Sequence, residues 1–228
     1  VVYKPRFVVV AGLIGVGKTH FTRRLSTLLD YEPLYEPVEE NPYLSDFYKD
    51  PKTWAYPMQE FLKSRRFAMY QFAAWGIRCG KFPGVVLDRS IHEDTIFAEI
   101  NKDLGNIDER NWRSYLMGFQ DMQHFLPEPD LYIYLDATPE TCCERAAARD
   151  RPEERGKGLD SKDGGSSGIP LSYMKTLRDG YMKWLEIIAP RVTVVKLDWS
   201  DFKLVEDAWK NIQGDLDTRS RFTRSLIM

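Results

Sequence analysis

The sequence predicts an α/β fold of three layers, with a five-stranded parallel sheet flanked by helices. Three observations carry that expectation. Short β-rich runs alternate with long amphipathic stretches along the chain, as expected of strands joined by crossover helices. The first β-rich run is unbroken in its apolar character, as in a strand buried on both faces. A glycine-rich turn then leads straight into a helical pattern.

In chain order, Arg6–Ala11 is the first strand, followed by the glycine turn and a helix from about Gly17 to Leu29. Leu34 and Tyr35 lead to a short second strand ending near Glu36. Met58, Phe61, Leu62, Arg65, Met69 and Phe72 recur at helical spacing, which predicts a long helix over Trp54–Ile77 with one apolar face. Val85–Asp88 is the third strand, with a helix from about Ile91 to Lys102 behind it. Arg110–Leu126 carries Trp112, Tyr115, Leu116, Phe119, Met122 and Phe125 among few charges. A helix apolar over so much of its circumference needs a cover, for which a second copy of the chain is a candidate.

Leu131–Leu135 is the fourth strand. Thr138 can cap the next helix, with Pro139 at its first position, and that helix runs into Arg149. Val192–Leu197 is the fifth strand, and a last helix starts at about Leu204. Gly156–Gly168 has Gly, Ser, Lys and Asp without periodicity and reads as a mobile loop. No internal repeat and no linker interrupts residues 1–228, so one domain is expected.

Bulk properties narrow the function. Thirty-two basic and 34 acidic side chains give a net charge of -2, which offers no polycationic surface to a nucleic acid or an anionic membrane. Any phosphate site must therefore be local. Cys142 and Cys143 are neighbours on a predicted helix, with one further cysteine in the chain. That is no disulfide framework and fits a reducing compartment. No apolar run approaches the roughly 18 residues that span a bilayer. A cytoplasmic protein is expected, with an organelle left open because the chain starts without an initiator Met.

Gly12-Leu13-Ile14-Gly15-Val16-Gly17-Lys18-Thr19 satisfies G-x-x-x-x-G-K-S/T between a predicted strand and a predicted helix. Glycines at these positions let backbone N–H groups turn inward around phosphates, and the helix N-terminus adds a positive dipole end. Lys18 can reach the β/γ oxygens of a nucleoside triphosphate and Thr19 can hold Mg²⁺. The motif alone covers GTPases, motors and small-molecule kinases. No N-K-x-D guanine-reading motif is present, and a motor would usually need a larger chain.

Further segments fall at the carboxyl ends of the predicted strands, where open α/β sheets place their ligands. Glu36-Pro37-Val38 follows the second strand and could take a proton from an acceptor hydroxyl; taken alone, such a residue is more often a solvated loop acid. Asp88-Arg89-Ser90 ends the third strand, with an acid able to orient Mg²⁺ and an arginine able to position an acceptor oxygen. Arg145, Arg149 and Arg151 straddle a helix end, and such cations repel unless an anion joins them. A phosphoryl group in flight would join them as an Arg-rich lid, while pairing with Glu144, Glu153 and Glu154 is the plain alternative.

With these residues in view, the chain resembles the deoxyribonucleoside kinase family. Its E-N-P-Y-L and D-R-S-I-H-E-D wording is most similar to the deoxyadenosine/deoxyguanosine kinase branch. The likeness runs from the phosphate loop to the last strand and implies a P-loop kinase fold, usually dimeric. It implies Glu36 as the base and Arg89 as partner of the 5′-hydroxyl. Tyr48 and Glu154 would bind the sugar 3′-hydroxyl, while Gln59, Arg66 and Asp94 would read the base. The donor ATP would lie on Gly12, Gly15, Val16, Gly17, Lys18, Thr19 and His20, with Arg149 above it and Asp201 and Phe202 beside its base; Thr19 and Asp88 would hold the metal.

Two departures stand out. Met58 precedes Gln59 where related kinases commonly carry Phe, which softens one wall of the base slot. The lid, about 145–168, also holds an extra stretch at about 156–167, expected to alter lid motion or product release more than chemistry.

The resemblance therefore implies phosphorylation of a deoxynucleoside 5′-hydroxyl by ATP, with deoxyadenosine first and deoxyguanosine or deoxycytidine behind it. A nucleoside monophosphate kinase of the thymidylate type is one rival, disfavoured because a carboxylate at Glu36 would repel a phosphate dianion. An inactive scaffold with a kinase fold is the other, disfavoured by the presence of Lys18, Glu36, Arg89 and the lid arginines.

Overall fold

The computed structural model describes residues 4–35, 40–149 and 169–225. Its centre is a five-stranded, all-parallel sheet in the order β2-β3-β1-β4-β5, built from β1 Phe7–Gly12, β2 Glu32–Leu34, β3 Val85–Asp88, β4 Leu131–Asp136 and β5 Val194–Asp198. β1 is central and buried at every residue, which is why its sequence shows no alternation. The second strand lies earlier than the sequence suggests. Glu32–Leu34 pairs with Val85–Leu87, and Tyr35 is already outside the sheet. Pro33 is tolerated there because β2 is an edge strand.

Helix α1, Lys18–Leu29, packs on β1 and β3, and α8, Val205–Ser225, packs on α1. The opposite layer holds α3, Pro51–Arg78, α4, Asp94–Asp103, and α7, Leu171–Ile188. Phe7 meets Tyr70 of α3 with ring centres 4.7 Å apart. Tyr132 and Tyr134, two residues apart on β4 and so on one face, meet Trp184 and Tyr181 of α7 at 5.3 and 5.5 Å.

Local signals set the element ends. Asp50 accepts from the Thr53 backbone N–H at 3.3 Å, with Pro51 in the first turn, so α3 starts before the expected Trp54 and continues through Pro57. α5, Glu109–Gln123, is capped by Asp108, which accepts from Asn111 N–H at 2.8 Å. α6, Pro139–Arg149, is capped by Thr138 as expected, with Thr141 N–H donating to its hydroxyl at 3.1 Å. The helix expected over Ile91–Lys102 is split into a 3₁₀ turn, Ile91–Glu93, and α4.

Two helices come as additions. α2, Leu44–Lys49, is only six residues long. The other is α7, whose buried face is Met174, Leu177, Tyr181, Trp184 and Leu185 at helical spacing. Among the described residues, no helix is long and apolar enough to cross a membrane.

Candidate active site

The site is built where β1 and β3 end side by side. Past Val10, which pairs with Asp88, the chain turns through Gly12, Gly15 and Gly17 at φ of 147, 82 and 107°. A Cβ at Gly15 would lie 2.3 Å from the carbonyl oxygen of Cys142 in α6, so glycine is required both for its dihedral and for its space. Burial pushes the Cys142 thiol up to about 11, which leaves it an inert packing group behind the loop. Lys18 is buried and donates to Leu13 O at 2.8 Å, across the turn it opens.

Thr19 and Asp88 meet at the same point. The threonine hydroxyl donates to Asp88 Oδ2 at 2.5 Å, with the carboxylate buried. A hydroxyl and a carboxylate touching beside a phosphate loop are hard oxygen donors of the kind Mg²⁺ takes.

Arg89 follows Asp88 with φ of 69°, a left-handed backbone that non-glycine residues rarely adopt. Its side chain is buried, lies over the Phe97 ring at 4.8 Å, and donates to Tyr181 Oη and, at 3.5 Å, to Glu93 Oε2. Tyr181 Oη in turn donates to Glu93 at 2.6 Å. Burial raises the Glu93 carboxyl above its usual range, opposed by Arg89, Tyr181, the Ser90 N–H and Lys18.

A cavity of about 730 Å³ joins this floor to a second polar cluster on α3. Tyr48, Met58, Gln59 and Arg66 line its far side with Lys18, Thr19, His20, Asp88, Arg89, Arg145 and Arg149 on the near side. Gln59 and Arg66 are two helical turns apart and both buried. Arg66 forms a fully buried ion pair with Asp94, so Asp94 acts behind the wall. Gln59 Oε1 is buried without a hydrogen-bond partner among the described residues, an acceptor left for a ligand.

The Deoxynucleoside kinase family model matches residues 8–216. This chain belongs to the deoxynucleoside kinase family. It is 33% identical to a deoxyadenosine kinase of Dictyostelium discoideum over 92% of this chain and 79% of that protein. It is 31% identical to a deoxyadenosine/deoxycytidine kinase of Bacillus subtilis, over 90% and 87% of the two chains. A solved deoxyadenosine kinase from M. mycoides with bound dCTP superposes with a TM-score of 0.74 at 26% identity, covering 91% of this chain and 98% of that one.

Of the three arginines expected in a lid, Arg145 and Arg149 lie on the last turns of α6 and line the cavity. Arg145 donates to the carbonyls of Val16, Trp199 and Ser200 at 3.3, 2.9 and 2.7 Å and sits over the Phe202 ring at 4.1 Å. It thereby ties the phosphate loop to the loop after β5. Phe202 lies against Gly17, where an added Cβ would be 3.0 Å from its ring, and Asp201 is exposed beside it. Glu36, Arg151, Glu154 and the stretch 156–167 lie outside the described residues.

Sequence reasoning missed Glu93 and Tyr181. The S-x-x-E spacing of Ser90 and Glu93 signals a capping box, which is present, and that local role conceals the longer reach to Arg89. Tyr181 was hidden with α7. Asn41, also on the cavity wall, has a buried amide nitrogen without a hydrogen-bond partner among the described residues; no spacing rule singles it out.

Proposed function

We propose that this deoxynucleoside kinase, read as one domain over residues 1–228, transfers the γ-phosphoryl group of ATP to the 5′-hydroxyl of deoxyadenosine. The observation that carries the reading is the unbroken cavity between Lys18 and Thr19 at one end and Gln59 and Arg66 at the other. An amide such as Gln59 matches adenine in two hydrogen bonds, accepting from N6 and donating to N7. Its Oε1, unpartnered among the described residues, favours a base that presents an amino group and so disfavours thymine, and the two-bond match to adenine N6 and N7 puts deoxyadenosine before deoxyguanosine or deoxycytidine.

In this reading Glu36 accepts the 5′-hydroxyl proton as that oxygen attacks phosphorus. Arg89 positions the oxygen, Tyr48 and Glu154 bind the sugar, and Lys18 with the loop amides holds the donor phosphates. Arg149 and Arg151 meet the charge that spreads over the transferring group, and Arg145 fixes the loop on which Asp201 and Phe202 flank the donor base. Thr19 and Asp88 would hold Mg²⁺, which supplies charge neutralisation at the phosphates. The free Cys79, Cys142 and Cys143 support a reducing, cytoplasmic setting, and the exposed apolar side chains of Met117 on α5 and of Phe72 and Trp75 on α3 support a homodimer.

A kinetic panel of the four deoxynucleosides against ATP and GTP tests the reading, with deoxyadenosine and ATP expected to give the highest kcat/KM. Glu36→Gln should retain nucleoside binding while turnover falls by at least about 10²-fold. Near wild-type turnover in that variant removes Glu36 from the role of base.

A further inference from the structure

We propose that Tyr181 and Glu93 are positioning residues that act on the reaction through Arg89. The inference rests on the reading above, in which Arg89 aligns the acceptor oxygen.

The placement is built from α7 inward. Gly180 lets α7 approach α4 closely: a Cβ there would lie 2.6 Å from Ile96 Cγ2. That approach brings the next residue, Tyr181, to the start of α4, where its hydroxyl donates to Glu93 Oε2 at 2.6 Å and accepts from Arg89. Glu93 is itself fixed, because Oε1 accepts from the Ser90 N–H at 2.8 Å. Tyr181, Glu93 and Arg89 are all buried, so water cannot substitute for a lost partner.

Arg89 needs this support. Its backbone is held in a sparsely populated region, and such a conformation persists only where surrounding contacts over-determine it. Its planar guanidinium delivers a directed hydrogen bond only if its orientation is fixed. On one side stands the Phe97 ring, which constrains the plane but accepts no conventional hydrogen bond. The hydroxyl of Tyr181 and the carboxylate of Glu93 provide the direction. Glu93 also balances a buried cation that would otherwise be costly in this apolar surrounding.

A purely structural tyrosine would look alike in its packing, since Tyr181 also meets Tyr134 and Trp184 at 5.5 and 6.1 Å. The experiment therefore removes only hydroxyls. Steady-state kinetics with deoxyadenosine and ATP are measured for wild type, Tyr181→Phe, Tyr134→Phe, Arg89→Gln and the Arg89→Gln/Tyr181→Phe double variant. Tyr181→Phe is expected to lower kcat about tenfold with both KM values within about twofold, the signature of a misdirected transition-state contact. Tyr134→Phe removes a buried hydroxyl that has no hydrogen-bond partner among the described residues, from the same core, and should leave kcat unchanged. Adding Tyr181→Phe to Arg89→Gln should cost nothing further, because a residue that works through Arg89 has nothing left to direct.

A wild-type kcat in Tyr181→Phe, or a full further tenfold loss in the double variant, overturns the inference while leaving the kinase reading intact. Wild-type protein that turns over no deoxynucleoside sinks that reading and the inference with it. If Tyr181→Phe fails to fold, Glu93→Gln carries the same test: it keeps the side-chain size and must show the same loss confined to kcat.

Discussion

His92 shows how a single side chain sets a pH limit. It lies edge-on to Tyr70 and Phe119, with ring centres 5.6 and 6.3 Å away, and burial with the nearby Arg191 charge lowers its pKa to about 4, against a smaller opposing effect of Glu128. Between that value and the ordinary 6.5, the unfolded chain binds a proton that the folded chain refuses. The contribution of His92 is therefore fully present above pH 6.5 and is lost as pH falls toward 4, an effect of up to about 3 kcal/mol. Urea titrations across that range should show the decline in wild type and a shallower one in His92→Phe; equal slopes would mean that His92 titrates normally. Gly15 makes an equally local case. Its φ and the 2.3 Å approach to Cys142 O forbid a side chain, so Gly15→Ala should abolish the stabilisation that ATP confers in a thermal melt.

At the scale of elements, α3 is the scaffold of the acceptor pocket. Arg66 lies seven positions after Gln59, which places both on one face two turns apart. Asp94 at the start of α4 neutralises Arg66 inside the protein. Asp94→Ala removes the buried carboxylate paired with the Arg66 guanidinium and should cost about 3–5 kcal/mol in urea unfolding, with a raised KM for the nucleoside. A loss below about 1 kcal/mol would show Arg66 to be well hydrated or otherwise compensated. The phosphate loop, β3 and the Thr138 cap were legible in the sequence because each is encoded over a few adjacent residues. The Thr19–Asp88 contact was legible only as a motif pair, since nothing local joins positions 69 residues apart. The second strand was displaced because an edge strand of three residues takes its register from β3 rather than from its own pattern. The Tyr181–Glu93–Arg89 link was out of reach until α7 was placed, because its three members are joined only through tertiary packing.

The whole molecule leaves one large surface to explain. α5 was expected to be covered, yet within one chain only Tyr115 and Phe119 of that helix are buried. Met117 is 65% exposed on it, Phe125 follows it exposed, and Phe72 and Trp75 are exposed on α3 beside it. Tyr56 to Ser114, Lys63 to Tyr115 O and Gln71 to Phe125 O are bonds that join α3 to α5 or to the turn after it, so the two helices form one outer layer. Four exposed large apolar side chains on one outer layer suit an association surface, and a second copy of this chain is its proposed occupant. Sedimentation should then give twice the 26.6 kDa chain mass at micromolar concentration, and Met117→Lys should shift the population toward single chains. The described cavity lining comes from one chain, so the separated chains should still bind ATP with little change. α3 carries Gln59 and Arg66 on one face and part of the association layer on another, so the KM for the nucleoside should rise more than that for the donor. Wild type sedimenting as one chain would assign this apolar surface to a different partner.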